Sequence, residues 1–450
     1  MANTNLFNPP YVKGQWGAPA KSERLVEIWM SIVFFFLPIS QMILANRMLN
    51  DKAYFVWGGM WLILMLLTFW IESLGRSRFP FLAVDILLFV VTVSGLFGIP
   101  NQFFGGRIGY LNSIGFTIFL LIRNVAMFII MPRTLVANHE ELLKIATKWI
   151  FRGTVVILVA TAIFSQSRGF GLAGGRFAAP DWLHPNTVSI YAGVLMVFVV
   201  CTKTLKIPSR LFGGSVALYI LLLTQSRTTL AALFIALFIY WVLGLGRNAG
   251  RTILASFLTL GVGFIAFLAL APSLSEFAPI KSIIDRTNTT DPTAGRVTKL
   301  QYAYDEFQKS PIVGFGYNAG FQVDNFVAKY GTETGVVGLS LYLFFFMAVS
   351  VTSYRVYKFA QDEKVRHMGR ISLALLVLLF FRSIAEATDL FHLSDILSNA
   401  TFLICGFCVA ATADLAMLGR NKQESVDRFN HSALLANFSE KHAADNQPTD

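Results

Sequence analysis

Apolar runs long enough to cross a lipid bilayer recur from residue 25 to residue 417, and no other feature narrows the possible folds as much. A helix needs about 20 apolar residues to traverse a hydrocarbon core of about 30 Å. Within that core every backbone N–H and C=O must be satisfied by the protein itself, so a spanning segment is a helix or a strand of a closed barrel. The alternating short segments that mark a barrel are absent. Charged residues make up 14% of the chain, far below the quarter or so usual in soluble domains, and nothing suggests a second, soluble domain. The sequence therefore predicts an all-α polytopic membrane protein. About twelve transmembrane helices are expected, at roughly 25–45, 54–71, 81–98, 110–130, 149–164, 187–202, 211–224, 228–245, 252–271, 333–354, 371–387 and 396–417.

Basic residues set the expected orientation, because Lys and Arg accumulate in cytoplasmic loops. Lys144, Lys148, Arg152, Lys206, Arg210, Arg247, Arg355, Arg366 and Arg370 fall in loops or span ends on the face that also carries both termini. That face is read as cytoplasmic, and loops 165–186 and 272–332 as external. The net charge of +11 expresses this bias and gives no reason to propose nucleic-acid binding. Residues 1–24 form a polar cytoplasmic tail without a small-residue cleavage site after the first apolar run, so that run is expected to be retained as a span. Helices 1–9 occupy 25–271 and helices 10–12 occupy 333–417. Residues 418–450 are polar and are expected to be a disordered cytoplasmic tail. Cys201, Cys405 and Cys408 fall within or beside apolar spans and are read as small core residues, since a thiolate is disfavoured there.

The external stretch 272–332 carries most of the polar chemistry. Asp291-Pro292 has the form of a helix N-cap followed by proline in the first turn. Val297, Leu300, Tyr304 and Phe307 then recur at helical spacing, which predicts an amphipathic helix lying on the outer membrane surface. Ser310-Pro311 ends the pattern and Gly314-Phe315-Gly316 opens a turn. The next span is expected to start near Glu333, with Gly335, Gly338 and Ser340 permitting close helix packing.

Several arginines are placed to hold an anion. Arg296 falls in the first turn of the predicted loop helix, where free N–H groups attract negative charge. Arg227 lies in the outward turn Gln225-Ser226-Arg227, Arg286 precedes the loop helix, and Arg168 and Arg176 occupy the other external loop. A guanidinium fork holds a phosphate at two points, which an ammonium does not. No pattern of metal ligands is evident. Within the spans, Asp85 and Arg123 are buried charges expected to pair with each other or to line a polar pocket.

The order of these pieces resembles the O-antigen ligase and polymerase family, bacterial membrane enzymes that join glycans carried on undecaprenyl pyrophosphate. The resemblance runs over roughly 165–355. It rests on Leu183-His184-Pro185-Asn186, Ser226-Arg227-Thr228, Arg296 to Leu300, Pro311 to Gly316, Asp324-Asn325 and Glu333 to Gly338. It implies a GT-C-like, metal-independent glycosyltransferase without a cofactor, whose catalytic loop is 272–332. Its donor would be an undecaprenyl-pyrophosphate-linked oligosaccharide. Its companions would be membrane lipids, a chain-length regulator and a flippase of the same pathway. Arg227, Arg296, Arg286, Arg176 and Asn325 would bind substrate. Ligases of the family carry a histidine, regarded as the catalytic base, where this chain has Asp324; an aspartate there favours a polymerase.

Such chemistry asks for fixed positive charge beside a departing pyrophosphate and for a base near the acceptor hydroxyl. Asp324 stands between apolar Val323 and Phe326, where desolvation would make it a better proton acceptor; the alternative is a turn-forming Asp–Asn pair. His184 is a second candidate base, or the cap of the following span. Glu333 is a third, or a carboxylate stabilised by a helix N-terminus. Three functions are compatible with the sequence. They are a polymerase acting on lipid-linked repeat units, an O-antigen ligase acting on lipid A core, and a secondary transporter or lipid-linked glycan flippase. Transporters concentrate polar residues at mid-membrane, whereas here they gather in an external loop.

Overall fold

The computed structural model describes residues 28, 31–39, 82–104, 110–134, 139–167, 185–202, 205–224, 226–245, 296–319, 321, 323–360, 362–386, 391 and 396–412. Among them every regular element is a helix: α1 (Ala83–Ser94), α2 (Ile99–Phe104), α3 (Tyr110–Asn124), α4 (His139–Ser167), α5 (Pro185–Cys201), α6 (Ile207–Thr224), α7 (Arg227–Leu243), α8 (Arg296–Lys309), α9 (Phe326–Phe359), α10 (Glu363–Ala385) and α11 (Ile396–Thr412). A π-helical turn, Val125–Ile130, continues α3. Six segments are long and apolar enough to cross a membrane, and α5, α7 and α11 are shorter apolar helices. These coincide with predicted spans. The spans expected at 54–71 and 252–271, most of 25–45, both terminal tails and the Asp291-Pro292 cap lie outside the described residues.

The described helices pack side by side, with α5 against α6, α7 against α10, and α9 against both α1 and α10. Arg370 of α10 donates to Tyr240 O near the end of α7 (2.9 Å), and Arg382, further along α10, donates to Thr229 near the start of α7. The two helices are therefore antiparallel. One end of the bundle holds Pro185, Arg227, α8, the start of α9 and Glu386. At the other end, basic side chains meet carbonyls that helix C-termini leave unbonded. Arg210 Nε donates to Val199 O (2.8 Å), Arg366 to Ala360 O (3.0 Å), and His367 Nε2 lies 2.6 Å from Cys201 O. Arg210, Arg366 and Arg370, three of the basic residues counted at loops and span ends, thus lie at one end.

One expectation changes. The span placed at 333–354 begins seven residues earlier, at Phe326, and is broken at Gly335. The loop helix, α8, turns the apolar stripe away from the protein, the side a helix lying on a membrane surface gives to lipid: Val297 is 62% and Tyr304 56% exposed, and Leu300 is exposed as well. It packs through Ala303, Glu306 and the edge of Phe307, over a small core of Phe315, Phe321 and Val323. Within the bundle, Arg123 meets polar partners. Fully buried, it donates to Asn124 Oδ1 (2.9 Å) and Asn399 Oδ1 (3.0 Å), with its guanidinium 4.7 Å from the Phe402 ring centre. Asp85 accepts Leu82 N–H at the start of α1 (2.7 Å). Asn124 reaches α1 at Thr92, about 10 Å along the axis from Asp85 at 1.5 Å per residue. The cysteines are buried and free.

Candidate active site

The site is built on the break in α9. Gly335 adopts φ 64°, ψ −169°, a region that residues with a Cβ scarcely enter. The interruption frees carbonyls before it and N–H groups after it, and the segment 311–316 satisfies both. Phe315 N donates to Thr332 O (3.1 Å) and Gly316 N to Glu333 O (2.6 Å). In return, Val336 N donates to Pro311 O (2.8 Å) and Val337 N to Ile312 O (3.2 Å). Thus two separate sequence motifs, Pro311 to Gly316 and Glu333 to Gly338, are halves of one structure. The far side of the segment is held by α2 and α1. Asn101 donates to Ser310 Oγ (2.7 Å) and Gly314 O (2.9 Å), Gln102 to Phe315 O, and Tyr317 OH to Val91 O (2.9 Å).

This anchored segment leads to Asp324, whose carboxylate accepts from Lys299 Nζ at 2.8 Å. The two side chains are 40% and 43% exposed, so the burial expected between Val323 and Phe326 is not found. An ion pair this exposed contributes about 0–1 kcal/mol; its consequence is orientation of the carboxylate. Arg296 stands one helical turn before Lys299 at the start of α8 and is half-buried. Asn325 is the N-cap of α9: its Oδ1 accepts from Ala328 N (3.1 Å), as an asparagine cap does, and its Nδ2 donates to Ile384 O at 2.6 Å. That last bond ties the Asp324 segment to the end of α10.

At the end of α10 lies a second cluster. Arg382, 1% exposed, donates to Glu386 Oε2 (2.6 Å), Asn186 O (3.1 Å) and Thr229 Oγ1. Glu386 Oε1 accepts from Thr228 Oγ1 (3.1 Å). Ser189 and Ser226 hydroxyls lie 2.8 and 3.0 Å from Thr229 Oγ1. Ser226, the residue before α7, makes no side-chain bond to the helix backbone, its hydroxyl being directed to Thr229. The motifs at 184–186 and 226–228 therefore meet, with Arg227 exposed at the first position of α7.

Of the residues singled out from sequence, Asp324, Asn325, Arg227, Arg296 and Glu333 lie at this end of the bundle. His184, Arg176 and Arg286, with Arg168, lie outside the described residues. Glu333 is not at a helix start: it closes the first piece of α9, is buried, and its Oε1 accepts from Asn318 N (3.1 Å). The structure adds Lys299, Arg382 and Glu386. Arg382 and Glu386 do not stand out in the sequence because they fall at the end of an apparently ordinary span; an Arg and Glu four apart on one helix in an apolar run is the available signal. Among the described residues, no three His, Cys, Asp or Glu side chains gather where an ion would be held in common.

Taken as a site, this end of the bundle offers two arginines and a lysine able to hold an anionic group, beside an accessible carboxylate able to accept a proton. No curated protein matches the chain. Residues 212–343, from α6 through Arg227, Arg296 and Asp324 to beyond the break in α9, match the family model described as O-Antigen ligase.

Proposed function

We propose that the protein is a polysaccharide polymerase of the inner membrane, acting on its periplasmic face with both termini in the cytoplasm. It would transfer a growing glycan from undecaprenyl pyrophosphate to a sugar hydroxyl of another lipid-linked repeat unit. The observation that carries this reading is the Asn325–Ile384 hydrogen bond. It joins the segment bearing Asp324 and Lys299 to the turn of α10 whose Glu386 holds Thr228 beside Arg227. Positive groups and a proton acceptor thereby share one end of the bundle, opposite the arginine-rich end that the charge rule assigns to the cytoplasm.

In the proposed reaction the acceptor oxygen bonds to the donor's anomeric carbon while the bond from that carbon to the pyrophosphate oxygen breaks. The bonding pair leaves on the pyrophosphate, and Arg227 and Arg296 stabilise the growing charge more in the transition state than in the ground state. The proton of the acceptor hydroxyl passes to the Asp324 carboxylate, kept in place by Lys299 and open to an incoming sugar. The arginines supply the countercharge, so this reading calls for no divalent ion. Aspartate in place of the histidine expected of the family's ligases favours a polymerase. The description of the matched family favours the second reading, a ligase with lipid A core as acceptor.

Removal of the gene followed by analysis of lipid-linked glycans tests this. Single repeat units accumulating on the carrier are expected. Long chains left on the carrier would replace the polymerase with a ligase. Unchanged lipid-linked glycans with altered solute uptake would overturn both enzyme readings.

A further inference from the structure

Arg382 and Glu386 lie outside the segment that matches the family, and both are held by groups at the starts of α5 and α7. Their environment nonetheless asks for an explanation. A guanidinium 1% exposed near the end of an apolar helix is expensive to bury, and buried ion pairs are often replaceable by apolar side chains of similar volume without loss of stability. Packing alone gives no reason for this pair.

Geometry gives one. At about 100° per residue, residues 226 and 229 lie about 60° apart around α7, residue 228 about 100° from 229, and Arg227 about 160° from 229. The pair grips the sides of 228 and 229. Glu386 Oε1 accepts from Thr228 Oγ1 at 3.1 Å, Arg382 donates to Thr229 Oγ1, and Ser226 Oγ lies 3.0 Å from that same hydroxyl. The residues flanking Arg227 are thus fixed while its own side chain stays exposed. The same turn of α10 is held from its other side, since Ile384, between Arg382 and Glu386, accepts from Asn325, the neighbour of Asp324. Glu386 is also where α10 ends: its N–H donates to Arg382 O (3.0 Å) and its backbone becomes extended. That turn directs the carboxylate back across the helix end to meet both Arg382 and Thr228.

We propose that Arg382 and Glu386 are positioning residues that set Arg227 relative to Asp324. They touch neither donor nor acceptor, and act through Thr228 and Thr229 on one side and through Ile384 and Asn325 on the other. This rests on the polymerase reading only in assigning Arg227 and Asp324 to the reaction; the mechanical coupling stands without it. The pair would fix how far the pyrophosphate contact lies from the base, a distance to which transfer is sensitive because a misplacement of about 1 Å can reduce rate about 100-fold.

The test uses the full-length protein in its own membrane, with variants replacing the chromosomal gene and polymer measured against lipid-linked units. Glu386→Gln keeps the shape but removes the charge that holds Arg382; it should lower transfer about 10–100-fold at normal protein abundance. In an Arg227→Lys background, adding Glu386→Gln should lower transfer by much less than in the native background, because both changes impair one contact. Arg382→Met with Glu386→Leu guards against mere misfolding: its melting temperature in detergent should be unchanged or raised while transfer is lost. Hydrogen exchange of the purified protein supplies a readout independent of the reaction, with amides of 226–229 and 324–328 exchanging about tenfold faster in Glu386→Gln. Full transfer in Glu386→Gln, multiplicative losses in the double variant, or unchanged exchange at both segments would overturn the proposal. If Arg227→Ala transfers normally while Glu386→Gln still loosens both segments, the coupling holds and the assignment of Arg227 to the reaction fails.

Discussion

Replacing Gly335 by alanine should detach the loop that carries the candidate base from the helix that supports it. With φ 64° and ψ −169°, Gly335 sits where a residue with a side chain incurs about 1–3 kcal/mol of strain. The added Cβ would also overlap the Ile312 carbonyl and lie 2.5 Å from Val313 N. If α9 keeps its break, that strain adds to loss of the Val336–Pro311 and Val337–Ile312 bonds, each contributing about 1 kcal/mol. If α9 straightens, all four backbone bonds between segment 311–316 and the helix are lost, again about 4 kcal/mol. Either route gives about 4 kcal/mol, which corresponds to an increase of about 10³ in local opening. Hydrogen exchange at residues 312–318 reads this directly, and glycan transfer should fall with it because Asp324 follows on the same segment. Gly115→Ala is the control: nothing lies within 4 Å of its added Cβ, and within α3 alanine should stabilise by up to about 1 kcal/mol. Native exchange at 312–318 in Gly335→Ala would refute the claim that the loop and the broken helix hold one another.

Arg227→Ala and Arg296→Ala should each reduce transfer by roughly 10²–10³-fold, the scale for removing one stabiliser of developing negative charge, with protein abundance unchanged by immunoblot. Lysine at either position should restore only part, since it lacks the fork. Full activity of Arg296→Ala would reduce that residue to a surface charge. Asp324→Asn keeps the shape but not the proton acceptor, and should lower turnover by roughly 10²–10⁴-fold while donor binding changes little. Asp324→His should retain some activity. Normal turnover in Asp324→Asn would make the aspartate a turn residue only.

The helices were legible because in a bilayer length and hydropathy leave the chain almost no choice. Predicted spans at 110–130, 211–224 and 371–387 find helices at Tyr110–Asn124 with its π-helical extension, Ile207–Thr224 and Glu363–Ala385. The span expected from 333 was misplaced because Gly335 and Gly338 were read as packing residues within one helix. Helical sequence on both sides gives no local sign that a loop will cap an interruption. For α8, periodicity located both the helix and its apolar stripe, and Val297, Leu300 and Tyr304 face away from the protein. The packing of its other side, through Ala303 and Glu306, was not legible, because a small and a charged residue carry no apolar signal.

The candidate site divides in the same way. Arg227, Arg296 and Asp324 stood out as polar residues between apolar spans, a contrast that exists within the sequence. Their assembly does not, because the bonds responsible join residues far apart along the chain: Asn325 to Ile384, Arg382 to Asn186, Thr228 to Glu386. What the sequence by itself determined is a chain of helices apolar enough to cross a membrane, with several arginines in the turns between them, because hydrocarbon excludes unpaired backbone. Only the tertiary structure decided that Pro311–Gly316 caps a broken helix, and that a buried Arg–Glu pair clamps the start of α7. Each arrangement satisfies polar groups with partners brought near by the packing of the bundle, and no local pattern encodes such a meeting.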